Sequence, residues 1–289
     1  MIVSEDRFRH QQVTVGDADL HVVETGDPGA PPFVFLHGWP ESSQTWAQVM
    51  TLAAASVRAI AIDLPGVGES AGAPTDGSKR QIAGVVDQFL SVMGLTGVTL
   101  VGHDIGGMVT YAYLRAYQGI DRAVITDVPL PGVAPWEEFV RSPFLFHFAL
   151  HAVPDLPERL VRGRQADYFG YFYDALSADP SKITASARHA HQAAYASDRA
   201  LTASFNWYRA FPRDVEDSQR ASAGPPVSTP LLYLRGERER GGGLGPYVQG
   251  LRDAGMTHVQ SALVPGAGHF TQEEAPAETW RLIARFAKL

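Results

Sequence analysis

The sequence contains no cysteine, which excludes disulfide bonds and thiolate metal sites. It also lacks any run of basic residues, and its net charge of −7 favours neither nucleic acid nor an anionic membrane as a partner. No stretch approaches the ~18 consecutive apolar residues of a membrane span. The start, MIVSEDRFRH, has no apolar segment of the kind found in secretory signals. We therefore expect a cytoplasmic protein that binds neither nucleic acid nor membrane.

What the sequence does contain is an ordinary globular composition. Its 289 residues are 45% hydrophobic and 19% charged, enough to bury a sizeable core. The length fits one large α/β domain, or a core domain with an insertion.

The order of apolar segments predicts the fold class. Six short runs are apolar at both alternating sets of positions, as expected for parallel strands covered on both faces: 32–36, 57–62, 98–101, 122–126, 231–234 and 259–264. Helical patterns fall between them at 46–55, 78–93, 106–117 and 276–287. An antiparallel hairpin, turning at 16–19, precedes them. This alternation predicts an α/β fold with a mostly parallel, doubly wound sheet and an active site at the strand carboxyl ends.

The segment 136–211 interrupts this alternation. It has no strand-like run, and it holds 15 of the 29 aromatic residues in 26% of the chain. Such a segment is a helical subdomain with its own core, and its position between two strands indicates a lid over an apolar pocket. We therefore predict a core domain of residues 1–134 and 216–289 and a helical cap domain of residues 135–215.

The stretch LVGHDIGGMV, residues 100–109, has the frame G-x-D-x-G where many hydrolases carry G-x-S-x-G. A nucleophile on a tight strand-to-helix turn needs small neighbours, because the turn is strained and the helix packs close behind it. Gly102, Gly106 and Gly107 meet this need. Asp104 is therefore the candidate nucleophile.

Two backbone amides are candidates for an oxyanion hole at this turn. The amide of Ile105 follows the nucleophile, and the amide of Trp39 belongs to the loop HGWP after an earlier strand. His103 is also adjacent to Asp104, but on such a turn it points away from the tip, so we interpret it as structural support.

The order of these motifs resembles the α/β-hydrolase fold superfamily across essentially the whole chain. HGWP, DLPGVGES, GHDIGG, a helical insertion and PGAGHF follow one another as they do in that superfamily. An aspartate at the elbow is typical of the branch that contains epoxide hydrolases and dehalogenases. The resemblance implies that Asp104 attacks a saturated carbon and forms an alkyl ester, which water then hydrolyses. It implies no cofactor and no metal.

The second step needs a general base and an acid that orients it. His269, in GAGHF after the last strand, lies where such folds place the histidine base. Asp127, which follows the strand after the elbow, is our preferred acid, because some epoxide hydrolases and fluoroacetate dehalogenases place their acid there. Glu239, in RGERERGGG, is the alternative acid, and Glu237 is a weaker third choice.

The proton donors in the lid indicate which leaving group the enzyme acts on. Relatives that open epoxides carry two tyrosines, or a histidine and a tyrosine, in the lid. His147 in FLFHFAL and Tyr208 in SFNWYRAF match the surroundings of those donors. Three other lid tyrosines are predicted to be core residues: Tyr168, Tyr171 and Tyr173.

The comparison with dehalogenases is less favourable. Haloalkane dehalogenases use an asparagine in HGNP and a tryptophan after the nucleophile, where this sequence has Trp39 and Ile105. Fluoroacetate dehalogenases bind the substrate carboxylate with arginines at positions that are Ile105 and Met108 here. Apolar side chains at these positions indicate an apolar or aromatic substrate, in a pocket predicted to contain Trp39, Ile105, Met108, Trp136 and Phe148.

The sequence thus predicts an epoxide hydrolase that uses a small apolar substrate and water. Two alternatives stay open, a dehalogenase with the same triad and a non-catalytic ligand receptor on the same scaffold. Ester, lactone or carbon–carbon bond hydrolysis is disfavoured because Asp104 is a poor nucleophile for it. The sequence leaves a homodimer open.

Overall fold

The structure is a computed structural model, and it describes residues 7–72, 76–241 and 243–289. The charged start at residues 1–6 and Gly242 in the predicted glycine loop lie outside the described residues. No helix in the described part of the chain has the length and apolarity needed to cross a bilayer.

A single mixed sheet of eight strands forms the centre of the fold. The strands are β1 Arg9–Val15, β2 Ala18–Thr25, β3 Pro32–Leu36, β4 Arg58–Ile62, β5 Val98–His103, β6 Ile120–Thr126, β7 Leu231–Gly236 and β8 Val259–Val264. Their order in the sheet is β1-β2-β4-β3-β5-β6-β7-β8. β1 and β2 form the predicted antiparallel hairpin, β2 is antiparallel to β4, and all later pairs are parallel. The α/β prediction is confirmed.

Thirteen α-helices are present within the described ranges. Those that accompany the sheet are α1 Ala47–Ala53, α2 Lys79–Val92, α3 Ile105–Ala116, α11 Gly245–Asp253, α12 Thr271–Glu274 and α13 Pro276–Ala287. The others are α4 Trp136–Val140, α5 Phe146–Ala152, α6 Leu156–Val161, α7 Gln165–Leu176, α8 Ala185–Ala194, α9 Asp198–Arg209 and α10 Phe211–Ser222. The segment between β6 and β7 is therefore helical, as predicted, and the predicted boundary at residue 215 falls inside α10.

The central strands β3, β4, β5 and β7 are buried at nearly every position because helices cover both faces of the sheet. The last strand, β8, lies at the edge and is largely exposed, so the prediction that it is covered on both faces was wrong. Successive side chains on a strand point to opposite faces. In β3, Phe33 and Phe35 pack with α1 and α13, whereas Val34 and Leu36 join the core that contains α2 and α3. Each such side chain contributes about 1.5–3 kcal/mol on burial. Because strands β3 to β8 are parallel, their carboxyl ends meet at one edge of the sheet.

Candidate active site

The turn after β5 has the strained geometry of a nucleophile elbow. Asp104 adopts φ 48° and ψ −118°, a region that non-glycine residues rarely occupy and that costs about 1–3 kcal/mol. A Cβ on Gly102 would overlap the carbonyl of Gly106, and a Cβ on Gly38 would lie 2.5 Å from that of Asp104. Small residues are therefore required around this turn, which exposes the Asp104 carboxylate at the sheet edge.

The loop after β3 supplies a donor to this carboxylate. The amide of Trp39 donates to Asp104 Oδ1 over 2.8 Å. Ile105 is the first residue of α3, and no hydrogen bond from its amide to Asp104 is formed among the described residues. Of the two amides predicted for the oxyanion hole, that of Trp39 therefore contacts the Asp104 carboxylate.

His269 lies at the same edge, but its carboxylate partner differs from the preferred prediction. His269 Nδ1 donates to Glu239 Oε1 over 3.1 Å, and Arg235 Nη2 lies 3.1 Å from Glu239 Oε2. No hydrogen bond joins Asp127 to His269 within the described ranges. The structure thus pairs His269 with the alternative acid, because the loop after β7 brings Glu239 across the histidine. Glu237 bonds elsewhere, to the amide of Gly266.

Asp127 is buried beside this pair and holds the backbone instead. Its Oδ1 accepts from the amide of Gly236 at 2.6 Å, and its Oδ2 accepts from Thr271 Oγ1 at 2.7 Å. Burial and the nearby Glu239 carboxylate raise the pKa of Asp127 well above its usual range. Burial alone would raise the pKa of Glu239 too, but the hydrogen bond from His269 and the charge of Arg235 lower it. Of the two carboxyl groups, Asp127 therefore has the higher pKa and Glu239 the lower one.

His103 belongs to a buried network that sequence reasoning did not find. Its Nδ1 donates to Glu41 Oε2 at 2.7 Å, and its Nε2 donates to the carbonyl of His269 at 3.0 Å. Burial would lower the pKa of His103, yet the Glu41 carboxylate raises it to about 10. Glu41 also accepts from Gln272 Nε2 at 2.7 Å. Glu41 belongs to no motif, so only its burial in the fold reveals this contact.

A cavity of about 860 Å³ opens above the elbow. The wall of this cavity contains eight of the residues discussed above, together with residues of the loop 238–241 and of α7. The eight are Trp39, Asp104, Asp127, His147, Phe148, Tyr208, Glu239 and His269. The proposed nucleophile, base, acids and lid donors therefore share one cavity. This convergence comes from strands and helices far apart in sequence.

Three residues predicted for the pocket do not line this cavity. Met108 instead lines a smaller cavity beside Lys79, on another side of α3. Trp136 packs behind Phe148, with ring centroids 5.9 Å apart, and Ile105 is fully buried in the core. These expectations were wrong because the direction of a helical side chain depends on how the helix sits on the sheet.

The two residues predicted to be lid donors lie on adjacent helices. His147 on α5 stacks on the Trp39 ring, with centroids 5.7 Å apart, and Tyr208 on α9 is also 5.7 Å from His147. Among the predicted lid-core tyrosines, Tyr173 is buried and donates to the carbonyl of Pro40 at 2.6 Å. Tyr168 bonds to His151, whereas Tyr171 is half exposed.

Burial keeps His147 uncharged. Burial, and then the proximity of His269, lower the pKa of His147 to about 3. The ring is therefore neutral near pH 7 and can donate one N–H without carrying a positive charge.

This shift predicts an effect on acid stability. An unfolded histidine titrates near 6.5, so the unfolded state binds more protons than the folded state between pH 6.5 and about 3. The contribution of His147 to stability is therefore fully present above pH 6.5 and is lost as the pH falls. Between pH 7 and pH 5, the free energy of unfolding of the parent should fall by about 2 kcal/mol more than that of His147→Phe. Urea titration at the two pH values measures both changes. His258→Phe, at an exposed histidine, is the control. An equal loss in parent and His147→Phe would contradict the neutral assignment.

The fold and the elbow define a hydrolase of the α/β-hydrolase fold, and comparison with known proteins agrees. Residues 33–282 match the model of the Alpha/beta hydrolase family. This chain belongs to that family.

Similar proteins include several epoxide hydrolases. The soluble epoxide hydrolase of Corynebacterium sp. (strain C12) is 28% identical over 92% of this chain and 93% of its own length. Bifunctional epoxide hydrolase 2 of Rattus norvegicus is 26% identical, and the match spans 99% of this chain but only 56% of the rat protein. The solved structure of Cfl2 from Burkholderia cenocepacia has a TM-score of 0.88 and 28% identity, over 97% of this chain and 96% of that one.

Proposed function

We propose that this protein is an epoxide hydrolase that opens an apolar or aromatic epoxide to a diol through an ester on Asp104. The observation that carries this proposal is the composition of the cavity wall. A carboxylate on a strained elbow faces the same space as His147 and Tyr208 of the lid. A carboxylate can displace an oxygen from a saturated carbon, and an epoxide oxygen that leaves as an alkoxide needs proton donors.

The first step would form the ester. An oxygen of Asp104 attacks an epoxide carbon, the ring C–O bond breaks, and the alkoxide takes a proton from Tyr208 while His147 donates a hydrogen bond. Burial and then the Asp104 charge raise the pKa of the Tyr208 phenol. Because esterification removes that negative charge, Tyr208 should become a better acid as the alkoxide forms.

The second step would hydrolyse the ester. His269, oriented by Glu239, takes a proton from water as the water oxygen attacks the Asp104 carbonyl carbon. The amides of Trp39 and Ile105 would stabilise the oxyanion. The bond between the carbonyl carbon and the substrate oxygen then breaks, and the second proton of the water passes from the new carboxyl group to the departing alkoxide, so that the diol leaves and the carboxylate is regenerated. The proton held by His269 returns through solvent to the phenolate of Tyr208. We also propose the division into a core of residues 1–134 and 216–289 and a cap of residues 135–215, since the lid donors come only from the latter.

The decisive experiment traps the ester. In His269→Gln, the second step should be slow, so incubation with styrene oxide should leave the mass of the epoxide on Asp104, located by peptide mass spectrometry. Chloroacetate and fluoroacetate are tested separately. His258→Gln is the matched control, and we expect it to turn over without accumulating an adduct.

The outcomes separate the candidate functions. An adduct from the epoxide alone supports the proposal. An adduct from a haloacetate alone would identify a dehalogenase, and Asp104 free of adduct with every compound would favour a non-catalytic receptor. Either of the last two results would refute epoxide hydrolysis as the function.

A further inference from the structure

We infer that Lys79 is a positioning residue that fixes the carboxyl end of α9 and so places Tyr208 against the nucleophile. The inference rests on the proposed role of Tyr208 in epoxide opening. Lys79 lies on the core helix α2, outside the cavity above the elbow, and its side chain is only 3% exposed. A buried lysine is rare unless its charge is paired, which directs attention to its partners.

The ammonium group of Lys79 contacts the last turn of α9. Nζ donates to the carbonyl oxygen of Trp207, the residue before Tyr208. The last four carbonyls of a helix have no partner within the helix, and the helix dipole leaves partial negative charge there. Lys79 thus supplies, from another element, the donor and the positive charge that this helix end lacks.

The same lysine also holds the start of α10. Its Nζ lies 2.8 Å from Asp214 Oδ2, and its backbone amide donates to Asp214 Oδ1 at 2.9 Å. Nζ lies 4.4 Å from the centre of the Phe211 ring, and that ring packs 5.2 Å from Tyr208. Tyr208 is therefore held on two sides by groups that Lys79 contacts, the Trp207 peptide and the Phe211 ring.

The backbone just before α2 is in close contact with the backbone of α9. Gly77, just before α2, has φ 64°, and a Cβ there would lie 2.5 Å from the carbonyl carbon of Asn206. Close backbone contact of this kind transmits a shift of one helix to the other. Burial lowers the pKa of Lys79, and Asp214 and then Asp104 oppose that effect.

A double-mutant cycle tests this inference. The alkylation rate of Asp104 is measured in single turnovers with styrene oxide in the His269→Gln background. We expect Lys79→Met to slow alkylation about 10-fold and Tyr208→Phe to slow it at least as much. Lys79→Met added to Tyr208→Phe should cause no further loss beyond about 2-fold, because residues that act through one group are not additive. Lys79→Arg should restore most of the rate, and Lys182→Met, at an exposed lysine, is the control.

A second variant guards against misfolding. Lys79→Met/Asp214→Asn removes both charges and leaves no buried charge unpaired. In this variant we expect slow alkylation and faster amide exchange at residues 205–210. Additive losses with Tyr208→Phe, or parental alkylation in the charge-free variant, would overturn the role of Lys79 while leaving ester formation on Asp104 intact. Failure of the parental His269→Gln chain to form any ester would instead refute the proposed function.

Discussion

Replacing Asp104 with alanine should lower kcat/KM for epoxide hydrolysis by at least about 10⁴-fold. The carboxylate is the only nucleophile that this mechanism uses against the epoxide carbon, so no partial reaction should survive. Alanine keeps the backbone strain of the elbow and leaves the Trp39 amide without its acceptor, so we expect stability to be unchanged or slightly lower. Steady-state turnover of styrene oxide and the thermal midpoint are the measurements.

Two comparisons make this result specific to the nucleophile. Asp121→Ala removes an exposed carboxylate from β6 and should leave turnover within about 2-fold of the parent. Asp104→Ser recreates the frame G-x-S-x-G, yet it should remain inactive on the epoxide, because a serine hydroxyl is a weak nucleophile towards a saturated carbon. Epoxide turnover by Asp104→Ala above about 1% of the parental rate would point to direct attack by water, without an ester.

The fold was accessible from sequence because its determinants are local. Runs such as 32–36 are apolar on both alternating faces only when a sheet is covered on both sides, and the structure has that strand at Pro32–Leu36. Ser78 begins the predicted helix as an N-cap, with its side chain accepting from Gln81. The elbow was equally predictable because its glycines stand together in one short motif, although the contact that requires Gly106 comes from the carbonyl of Leu36 in another strand.

The contents of the site were less accessible because they depend on the directions of side chains. Met108 and Trp136 are apolar residues near the right motifs, but the packing of their helices turns them away from the cavity. Glu41 and Gln272 lie 231 positions apart in the sequence, and their contact follows from the completed sheet. No spacing rule along the chain contains that information.

The choice between two acids shows the same limit. Asp127 and Glu239 follow neighbouring strands, so topology places both carboxylates beside His269. The conformation of the loop after β7 then decides the pairing. Arg235 draws Glu239 inward, while the Gly236 amide and Thr271 hydroxyl occupy both oxygens of Asp127. A sequence motif records the strand ends but not this competition for hydrogen bonds.

Glu239→Gln should therefore slow ester hydrolysis by about 10³- to 10⁴-fold and leave alkylation of Asp104 nearly unchanged. The carboxylate of Glu239 accepts from His269 Nδ1 and stabilises the positive charge that forms when the histidine takes a proton from water. A neutral amide provides no such charge, and its NH₂ group can favour the wrong tautomer. The ester should accumulate on Asp104 during turnover, which intact-protein mass spectrometry measures.

Asp127→Asn is the matched comparison, and its effect should stay below about 10-fold. Burial raises the pKa of Asp127, so the neutral side chain of asparagine is a close substitute, and it keeps the acceptor for the Gly236 amide. The asparagine NH₂ group can donate to Glu239, and Thr271 can turn its hydroxyl towards Gln272 Oε1, which lies 3.5 Å away. If the ester accumulates in Asp127→Asn but not in Glu239→Gln, then Asp127 orients the histidine in solution. Accumulation in both variants would mean that the pair acts as one unit, with the Asp127 proton needed to keep Glu239 in place.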